Sequence, residues 1–407
     1  MEDLDWYRQN IDEIDKELVE LFEKRMSMVL KVAEYKKKNN IEIFHKDREI
    51  QVIEKNVNRL KDSDLSSYTT RFFQTLMNLS KEYQIENIEV NTDKVAANNL
   101  KLEKNKVLNV GFFGVKGSFS EEALLEYFKD NYKIDGKELE ECKCSDEASC
   151  IETYDYEEFE DLFEALNKGD IEYGVLPMEN SFTGAITKVY DLVRDYGFYI
   201  VGEERLRISQ NLLGVKGTKI EEVKEIYSHT QGFEQSTKYL KTLKDCKLTH
   251  FHNTAISAKL VRDLNDNTKA AIASKRAAEI YGLEILKADI NNQKDNVTRF
   301  VIVSKELRAE KDANKLTVVF SLGNKSGQLY NILRYFTENN LNMIKIESRP
   351  MGDSNFSHYL YIDFEGSIQG ENVKKVLELV EQNSTNFKLL GAYKSWETHK
   401  GRDGAKC

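Results

Sequence analysis

Proline, cysteine and long apolar runs are all scarce in this sequence, and each scarcity excludes a class of protein. The 407 residues include 2 prolines and 5 cysteines, and the cysteines are unevenly spread. An odd, scattered set of cysteines does not make the framework of a disulfide-rich domain. No stretch approaches the roughly 20 apolar residues that cross a bilayer. The acidic start, Met1–Asp5, is unlike a signal peptide, so we expect a cytoplasmic protein with no membrane partner.

Basic residues are outnumbered by acidic ones, and this limits the ligands that the chain is expected to bind. Lys and Arg total 59 against 69 Asp and Glu, which gives a formal net charge of −10. Binding of nucleic acid needs a concentrated basic surface, so we expect no nucleic-acid partner. The sequence also lacks a phosphate-binding loop and a set of ligands at zinc-like spacing. We therefore expect activity without a metal or other cofactor.

Changes in the periodicity of apolar residues divide the chain into several domains. Residues 1–88 show helical periodicity, and 89–106 form a polar linker. Over 107–305 short apolar runs alternate with helical patterns, which is typical of an α/β domain. Over 314–396 the predicted order is βαββαβ, as in an α+β domain, and 397–407 form a tail. The predicted fold class is therefore multidomain.

The first predicted helix carries cations along its apolar stripe. The stripe runs from Ile11 to Val32, and Arg8, Arg25 and Lys36 project on the same side. A buried cation needs an anion, although any one of these side chains alone is better explained by snorkelling at the edge of the stripe. Polar residues also continue the apolar faces of the next two helices, namely Arg48, Glu49, Ser80 and Gln84. Together these residues predict a site for an anionic ligand.

In order and spacing, this set resembles the active-site residues of the all-helical chorismate mutases. The resemblance implies that the substrate chorismate, a dianion, is held by Arg25 and by Arg8 of a partner chain. Lys36 and Gln84 would stabilise the charge that grows on the breaking ether oxygen, and Glu49 would orient the ring hydroxyl. It also implies a homodimer or a higher homo-oligomer of interlocked helices.

Polar segments in the α/β region lie beside predicted strands and helices. They are Gly114–Ser120, Glu179–Gly184, Ser228–Gln235 and Asn296–Phe300. Such positions suit anion binding at helix starts and ligand contacts from loops. Taken in this order, the segments resemble the signature motifs of prephenate dehydratases. The candidate residues are Ser118, Asn180, Ser181, Gln231, Thr298, Arg299 and Phe300.

This second resemblance implies a two-lobed fold like that of periplasmic binding proteins, with prephenate between the lobes. Lobe one would comprise 107–183 and 286–305, and lobe two 184–285. Prephenate loses carbon dioxide and its ring hydroxyl together, so the site needs a hydrogen-bond donor at that hydroxyl. The resemblance gives that role to Thr298 and gives substrate contacts to the other candidates.

The βαββαβ region resembles an ACT domain, which is a regulatory domain. Gly327–Tyr330 begins its first helix, and Glu347–Pro350 ends its second strand. In the family these segments hold phenylalanine, so the resemblance implies that L-phenylalanine binds here and inhibits the dehydratase. The candidate allosteric residues are Gly327, Gln328, Leu329, Glu347, Ser348, Arg349 and Pro350.

Together the resemblances predict a bifunctional enzyme that converts chorismate to prephenate and prephenate to phenylpyruvate. One alternative is a sensor without catalysis, built from a two-lobed binding domain and an ACT domain. Another is a helical scaffold whose charges have no catalytic role. The cationic set of the first helices and the Thr298–Phe300 segment favour the enzyme, because sensing alone does not require them.

Overall fold

The computed structural model describes most of the chain as two compact units, residues 1–96 and 97–407. The described residues are 3–39, 46–87, 107–129, 151–243, 245–323, 326–352 and 357–396. The predicted linker 89–106 and tail 397–407 lie outside these ranges. Within the described ranges, no helix is long and apolar enough to cross a bilayer.

The first unit is helical, which confirms the predicted fold class. Its elements are α1 (Leu4–Lys38), α2 (Lys46–Val57), a 3₁₀ turn (Ser63–Leu65) and α3 (Ser66–Asn87). Helix α1 begins where the side chain of Asp3 accepts a hydrogen bond from the backbone N–H of Trp6 at 2.9 Å. Its buried residues, Met26 and Ala33, lie in its C-terminal half. The N-terminal half of α1 therefore leaves its apolar stripe exposed within the chain.

Strands and helices alternate in the first part of the second unit, as predicted for an α/β domain. These elements are β1 (Leu108–Phe113), α4 (Phe119–Phe128), β2 (Ile151–Tyr156), α5 (Phe159–Lys168), β3 (Tyr173–Asn180), β4 (Gly184–Ala185), α6 (Thr187–Tyr196), β5 (Tyr199–Arg207), β6 (Asn211–Gly214), a 3₁₀ turn (Ile220–Glu222), β7 (Glu225–Ser228), α7 (Thr230–Gln235), α8 (Thr237–Leu240), β8 (Lys247–His250), α9 (Thr254–Leu264), β9 (Lys269–Ala273), α10 (Lys275–Tyr281), β10 (Glu284–Lys287) and β11 (Val297–Ser304). Strands β1–β5 and β11 lie in one sheet. Strands β6–β10, which come between β5 and β11 in the sequence, form a second sheet.

The C-terminal part has the predicted βαββαβ order. Its elements are β12 (Lys315–Ser321), α11 (Gln328–Glu338), β13 (Met343–Pro350), β14 (His358–Glu365), α12 (Glu371–Asn383) and β15 (Thr385–Tyr393). The four strands lie in the order β13-β14-β12-β15. Helix α12 buries Val373, Val376 and Val380, a spacing that places all three on one helical face. This confirms the predicted architecture of the C-terminal domain.

The sheet of the C-terminal domain continues into the first sheet of the α/β domain. The joint order is β13-β14-β12-β15-β5-β11-β3-β1-β2, with β4 beside β3. Strands β15 and β5 meet at Gly391 and Ile200. A Cβ atom on Gly391 would lie 2.2 Å from the carbonyl oxygen of Ile200, so glycine is required for this approach. Strand β11, which carries Thr298, is thus separated from the C-terminal domain by β5 alone.

The second sheet, in the order β10-β6-β9-β7-β8, forms the other lobe. The two-lobed fold is confirmed, but the lobe boundaries differ from the prediction. Strand β5 pairs with β11 in the first sheet, and β10 pairs with β6 in the second. The chain therefore crosses after residue 207 and again between 287 and 297, not at 184 and 285. The reason is that the polar segment after β3 turns back as the β3–β4 hairpin and stays in lobe one.

Candidate functional site

In the first unit, three of the predicted residues meet where α1 packs on α3. Arg25 is half-buried, and its Nη1 donates a hydrogen bond to the hydroxyl of Ser80. On the next turn of α3, Gln84 Nε2 donates to the backbone carbonyl of Val29 at 3.1 Å. Burial lowers the pKa of Arg25, and no carboxylate of the described residues offsets that effect. A partly buried guanidinium without an anionic partner is suited to an anionic ligand.

The other residues predicted for this site are placed differently. Lys36 is half-buried near the end of α1, Arg48 is exposed on α2, and the side chain of Glu49 lies outside the described residues. Arg8 is exposed at the opposite end of α1. With a rise of about 1.5 Å per residue, Arg8 lies about 25 Å along the helix from Arg25. One chain therefore does not bring Arg8 and Arg25 to the same ligand.

In the second unit, Asn180 at the end of β3 is the centre of a hydrogen-bonded cluster. Its side-chain oxygen accepts from the backbone N–H groups of Phe182 at 3.0 Å and Thr183 at 3.1 Å. Because a backbone N–H can only donate, these bonds fix the orientation of the Asn180 amide. Its Nδ2 faces β11 and donates to Thr298 Oγ1 at 2.9 Å and to Asn296 Oδ1 at 2.7 Å.

This cluster determines the direction in which the Thr298 hydroxyl donates. Thr298 is opposite Asn180 in the β11–β3 register and is 7% exposed. Its oxygen accepts from Asn180, so its own hydrogen is available to another acceptor. Among the described residues, no acceptor takes that hydrogen. Phe300, in contrast, is buried in the hydrophobic core of lobe one and contributes packing there.

A cavity of about 220 Å³ opens beside the cluster. Residues from both lobes line it, among them Phe182, Gln231, Glu234 and Asn296. Asn296 is absent from the residues predicted for the site, although it is 2% exposed and its Oδ1 accepts from Asn180. The signal that could have found it is its place at the start of the Asn296–Phe300 segment.

The remaining polar candidates organise the loops around the cleft. Ser181 Oγ accepts from the backbone N–H of Val297 at 3.0 Å, and the backbone N–H of Ser181 donates to the carbonyl of Val297 at 2.9 Å. These bonds tie the loop after β3 to the start of β11. Ser118 caps the N-terminus of α4. His229 caps α7, and burial lowers its pKa, which favours a neutral imidazole.

Arg299 lies on the opposite face of β11 from Thr298, because successive residues of a strand point to opposite sides. It is 7% exposed, and all three of its guanidinium nitrogens have partners in the protein. Nε donates to Glu203 at 2.7 Å, Nη1 to Asp363 at 2.6 Å, and Nη2 to the hydroxyl of Tyr393 at 2.7 Å. Asp363 and Tyr393 belong to the C-terminal domain. The structure therefore does not bring the Arg299 guanidinium into the Asn180 cluster.

A second cation completes this buried network. Lys315 Nζ lies 2.8 Å from Glu203 and 3.8 Å from Asp363. Burial alone would raise the pKa of Asp363, but the charges of Arg299 and Lys315 outweigh it and hold that pKa below its ordinary value. The same two cations lower the pKa of Glu203 against its burial. Two ionised carboxylates thus balance two cations at the junction with the C-terminal domain.

The candidate allosteric residues lie at the start of α11 and the end of β13. Gly327 is the N-cap residue of α11, and Leu329 is 40% exposed. The Gln328 Oε1 atom is buried and has no hydrogen-bond partner among the described residues. A buried polar atom without a partner costs on the order of 1–3 kcal/mol. A ligand that donates a hydrogen bond to this atom would remove that cost.

The Glu347–Pro350 segment ends the edge strand β13. Arg349 Nη2 lies 3.0 Å from Asp191 of α6, so its guanidinium is held against the α/β domain. Glu347 Oε2 lies 3.7 Å from Lys345 Nζ on the same strand. The other two residues of the segment, Ser348 and Pro350, are exposed.

Comparison with known proteins identifies the family of the chain. Residues 7–85 match the family described as chorismate mutase type II, and residues 110–308 match the family described as prephenate dehydratase. A bifunctional chorismate mutase/prephenate dehydratase of Buchnera aphidicola subsp. Schizaphis graminum is 31% identical over 397 residues, which cover 97% of each chain. The chain belongs to the bifunctional chorismate mutase/prephenate dehydratase family. It therefore has both activities, and the predicted enzyme class is confirmed.

Two solved structures are similar to about 70% of the chain. A prephenate dehydratase from Arthrobacter aurescens, solved in complex with L-Phe, is 25% identical with a TM-score of 0.60, covering 71% of this chain and 91% of that one. A protein described as GqqA, a novel type of quorum quenching acylase, is 26% identical with a TM-score of 0.61, covering 70% of this chain and 98% of that one. Arg25 lies within the residues that match chorismate mutase, and the Asn180 cluster lies within those that match prephenate dehydratase.

Proposed function

We propose that the Thr298 hydroxyl is the group that assists departure of the ring hydroxyl of prephenate. As the carboxylate is lost as carbon dioxide, its bonding electrons enter the ring and the C–O bond to the ring hydroxyl breaks. The departing oxygen leaves as hydroxide, which takes a proton from solvent to become water, and the ring becomes aromatic. The hydrogen bond from Asn180 to Thr298 carries this proposal, because it leaves the Thr298 hydrogen available to stabilise the charge on the departing oxygen.

This role is tested by removing the hydroxyl without changing the shape of the side chain. T298V should lower the dehydratase kcat by about 10²–10³-fold, the usual effect of removing one donor to a developing oxyanion. T298S keeps the hydroxyl and is the matched control, with kcat expected within about fivefold of wild type. Mutase activity should be unchanged in both variants. A T298V enzyme that dehydrates prephenate at the wild-type rate would exclude this role.

In the mutase, we propose that Arg25 holds a carboxylate of chorismate while Gln84 and Lys36 stabilise the ether oxygen as its bond breaks. The partly buried position of Arg25 supports this, because a guanidinium in a low-dielectric site binds a carboxylate strongly. No proton transfer is needed for this rearrangement, so positioned charge is sufficient chemistry.

We also propose that the mutase is completed by a second copy of the chain, which supplies Arg8 of the partner subunit. The apolar stripe of α1 is exposed within one chain, with Ile11 at 56%, Ile14 at 58% and Leu18 at 47%. Full burial of each such side chain contributes roughly 1.5–3 kcal/mol. An exposed apolar stripe of this length therefore fits a homodimer formed through α1.

Light scattering on purified variants tests the dimer. I14D should convert the dimer to a monomer and remove mutase activity, because the stripe cannot bury a carboxylate and Arg8 would no longer reach the site. K16E changes charge on an exposed position two residues away and should remain dimeric and active. A monomeric I14D protein with wild-type mutase activity would contradict the shared site.

Finally, we propose that L-phenylalanine binds the C-terminal domain and inhibits the dehydratase. The amino group of phenylalanine can donate to the unpartnered Gln328 Oε1 atom. The start of α11 offers backbone N–H groups to the carboxylate, and the exposed Leu329 offers an apolar contact to the ring. The related Arthrobacter enzyme was solved with this amino acid bound.

Calorimetry with L-phenylalanine tests this site. Q328L should weaken binding by about tenfold, the equivalent of one hydrogen bond to a charged group. Q369L makes the same change at an exposed glutamine of the same domain and should bind as wild type does. Unchanged affinity in Q328L would place the phenylalanine site elsewhere.

A further inference from the structure

The two faces of the β3–β11 strand pair carry different chemistry. In the register of these strands, Asn180 is opposite Thr298, and Glu179 is opposite Arg299. The first pair lies beside the cavity between the lobes, because Asn180 bonds to Asn296, which lines that cavity. Because successive strand residues point to opposite sides, the second pair lies directly behind it. Any group that moves Glu179 or Arg299 therefore acts on the backbone that carries Asn180 and Thr298.

Two residues of the C-terminal domain face this rear pair. Lys345 and Asp363 are themselves opposite each other in the β13–β14 register. Asp363 Oδ2 lies 2.6 Å from Arg299 Nη1, and Lys345 Nζ lies 2.8 Å from Glu179 Oε1. Glu179 also lies 3.8 Å from Arg299. Each cross-strand pair holds one cation and one anion, and each cation lies against the anion of the other pair. We call Glu179, Arg299, Lys345 and Asp363 the charge quartet.

The side chains of the quartet are largely shielded from water, which strengthens the ion pairs between them. Asp363 and Arg299 have side chains 3% and 8% exposed, whereas Lys345 and Glu179 are 14% and 33% exposed. Ion pairs with this little exposure are screened far less than surface pairs. The Asp363–Arg299 half is therefore a fixed anchor, and the Lys345–Glu179 half is the part that a ligand can change.

Lys345 also connects the quartet to the candidate phenylalanine segment. Its Nζ lies 3.7 Å from Glu347 Oε2, so one ammonium is shared between Glu179 of the dehydratase and Glu347 of the segment. A ligand that changes the position of Glu347 changes the hold of Lys345 on Glu179. A ligand shifts only an equilibrium whose two states it binds unequally, and Lys345 paired mainly with Glu179 or mainly with Glu347 would be two such states.

We propose that Lys345 is a positioning residue for the dehydratase, supplied by the C-terminal domain, and that phenylalanine inhibition passes through it. Lys345 holds Glu179, and Glu179 precedes Asn180, whose amide orients the Thr298 hydroxyl. The regulatory half of this inference rests on the proposed binding of phenylalanine at Glu347–Pro350. The positioning half does not depend on that binding.

The experiment compares full-length K345Q, E179Q and the K345Q/E179Q double variant with wild type. We expect each single variant to lower the dehydratase kcat by about tenfold with KM for prephenate changed less than twofold, because substrate contacts remain in place. The double variant should be no slower than either single one, since both remove the same contact. K345R keeps the cation and should recover most of the rate. K374Q, on an exposed lysine of α12, is the matched control.

Phenylalanine is then added to the same proteins. K345Q should bind phenylalanine with an affinity within about threefold of wild type but require at least about tenfold more for half inhibition, or lose inhibition altogether. Folding of the second unit is checked by the fluorescence of Trp396, whose Nε1 donates to the buried Glu204 at 2.7 Å.

The outcomes separate the inference from the function on which it rests. If K345Q and E179Q keep the wild-type kcat, or if their effects add independently, Lys345 is not a positioning residue. If K345Q is inhibited as wild type is, the regulatory route is wrong. If wild type itself neither binds phenylalanine nor is inhibited by it, the proposed regulation fails, while the kcat comparison still decides the positioning role.

Discussion

The direction of the hydrogen bond between Asn180 and Thr298 is tested most sharply by N180D. This change keeps the size of the side chain and the oxygen that accepts from the N–H groups of Phe182 and Thr183. It replaces the Nδ2 donor by an acceptor. The Thr298 hydroxyl would then donate to the introduced carboxylate and no longer to the substrate.

The magnitude follows from the bonds that change. Nδ2 donates at 2.9 Å to Thr298 Oγ1 and at 2.7 Å to Asn296 Oδ1, and N180D removes both donations. Loss of one donor to the departing oxygen costs about 2.7–4 kcal/mol of transition-state stabilisation, or roughly 10²–10³ in kcat. The cost in stability is on the order of 1–3 kcal/mol for each acceptor left without a donor, and more where a buried carboxylate faces that acceptor. The unfolding midpoint of N180D is therefore measured beside its activity, and kcat is compared at a temperature below that midpoint.

The assay is the conversion of prephenate to phenylpyruvate, measured from neutral pH downwards. Protonation of the introduced carboxylate restores a donor, so the rate of N180D relative to wild type should rise as the pH falls. N167D adds the same charge on the exposed surface of α5 and should follow the wild-type profile. An N180D enzyme within about threefold of wild type at neutral pH would refute the argued direction of the bond.

Three further predictions concern the other charged groups. R25Q should lower mutase kcat by at least about 10²-fold while prephenate is still dehydrated, whereas K24Q, on the exposed side of α1, should keep both activities. D363N should destabilise the second unit by about 3–5 kcal/mol in urea denaturation because it leaves Arg299 buried with one carboxylate fewer, and D312N, which breaks the surface pair with Lys394, should cost less than about 1 kcal/mol. Because Arg299 and Lys315 hold the pKa values of Asp363 and Glu203 below their unfolded values, the stability that these carboxylates contribute is present at neutral pH. It should be lost as the pH falls below about 4, and unfolding midpoints that stay constant down to pH 2 would contradict this.

The sequence predicts the elements well because each has a local signal. The βαββαβ order from 314 to 396 follows from apolar periodicity, and the α/β alternation before it follows from strand-like runs between helical patterns. The lobe boundary was harder to predict. The polar segment after β3 has the composition of a crossing loop, but the side chain of Asn180 folds it into a hairpin through bonds to Phe182 and Thr183.

The sequence predicts which residue types form the site in the α/β domain. It does not predict which partners those residues contact. Thr298 and Arg299 are neighbours in one motif, and the motif does not reveal that they serve opposite faces of a strand. That distinction depends on Glu203 and Asp363, which lie 96 and 64 residues away from Arg299 in the sequence. Long-range partners of this kind are set by the topology of the joined sheet, which local patterns do not encode.

The placement of Arg8 and Arg25 shows a further limit of the sequence. Their shared position on the apolar side of α1 is visible in the helical period, but a helix separates them by about 25 Å. Periodicity gives direction around a helix and not proximity to a ligand. Arg8 and Arg25 can therefore serve one ligand only if a second chain supplies one of them.

The most direct test of the account follows chorismate through the purified protein, with chorismate, its isomer prephenate and phenylpyruvate separated by liquid chromatography before mass spectrometry. We predict that wild type forms prephenate transiently and then phenylpyruvate, with one carbon dioxide released per chorismate consumed. R25Q should leave chorismate unchanged, and T298V should accumulate prephenate. Wild-type protein that stops at prephenate, or a single variant that blocks both steps while both units remain folded, would contradict the assignment of two separate sites.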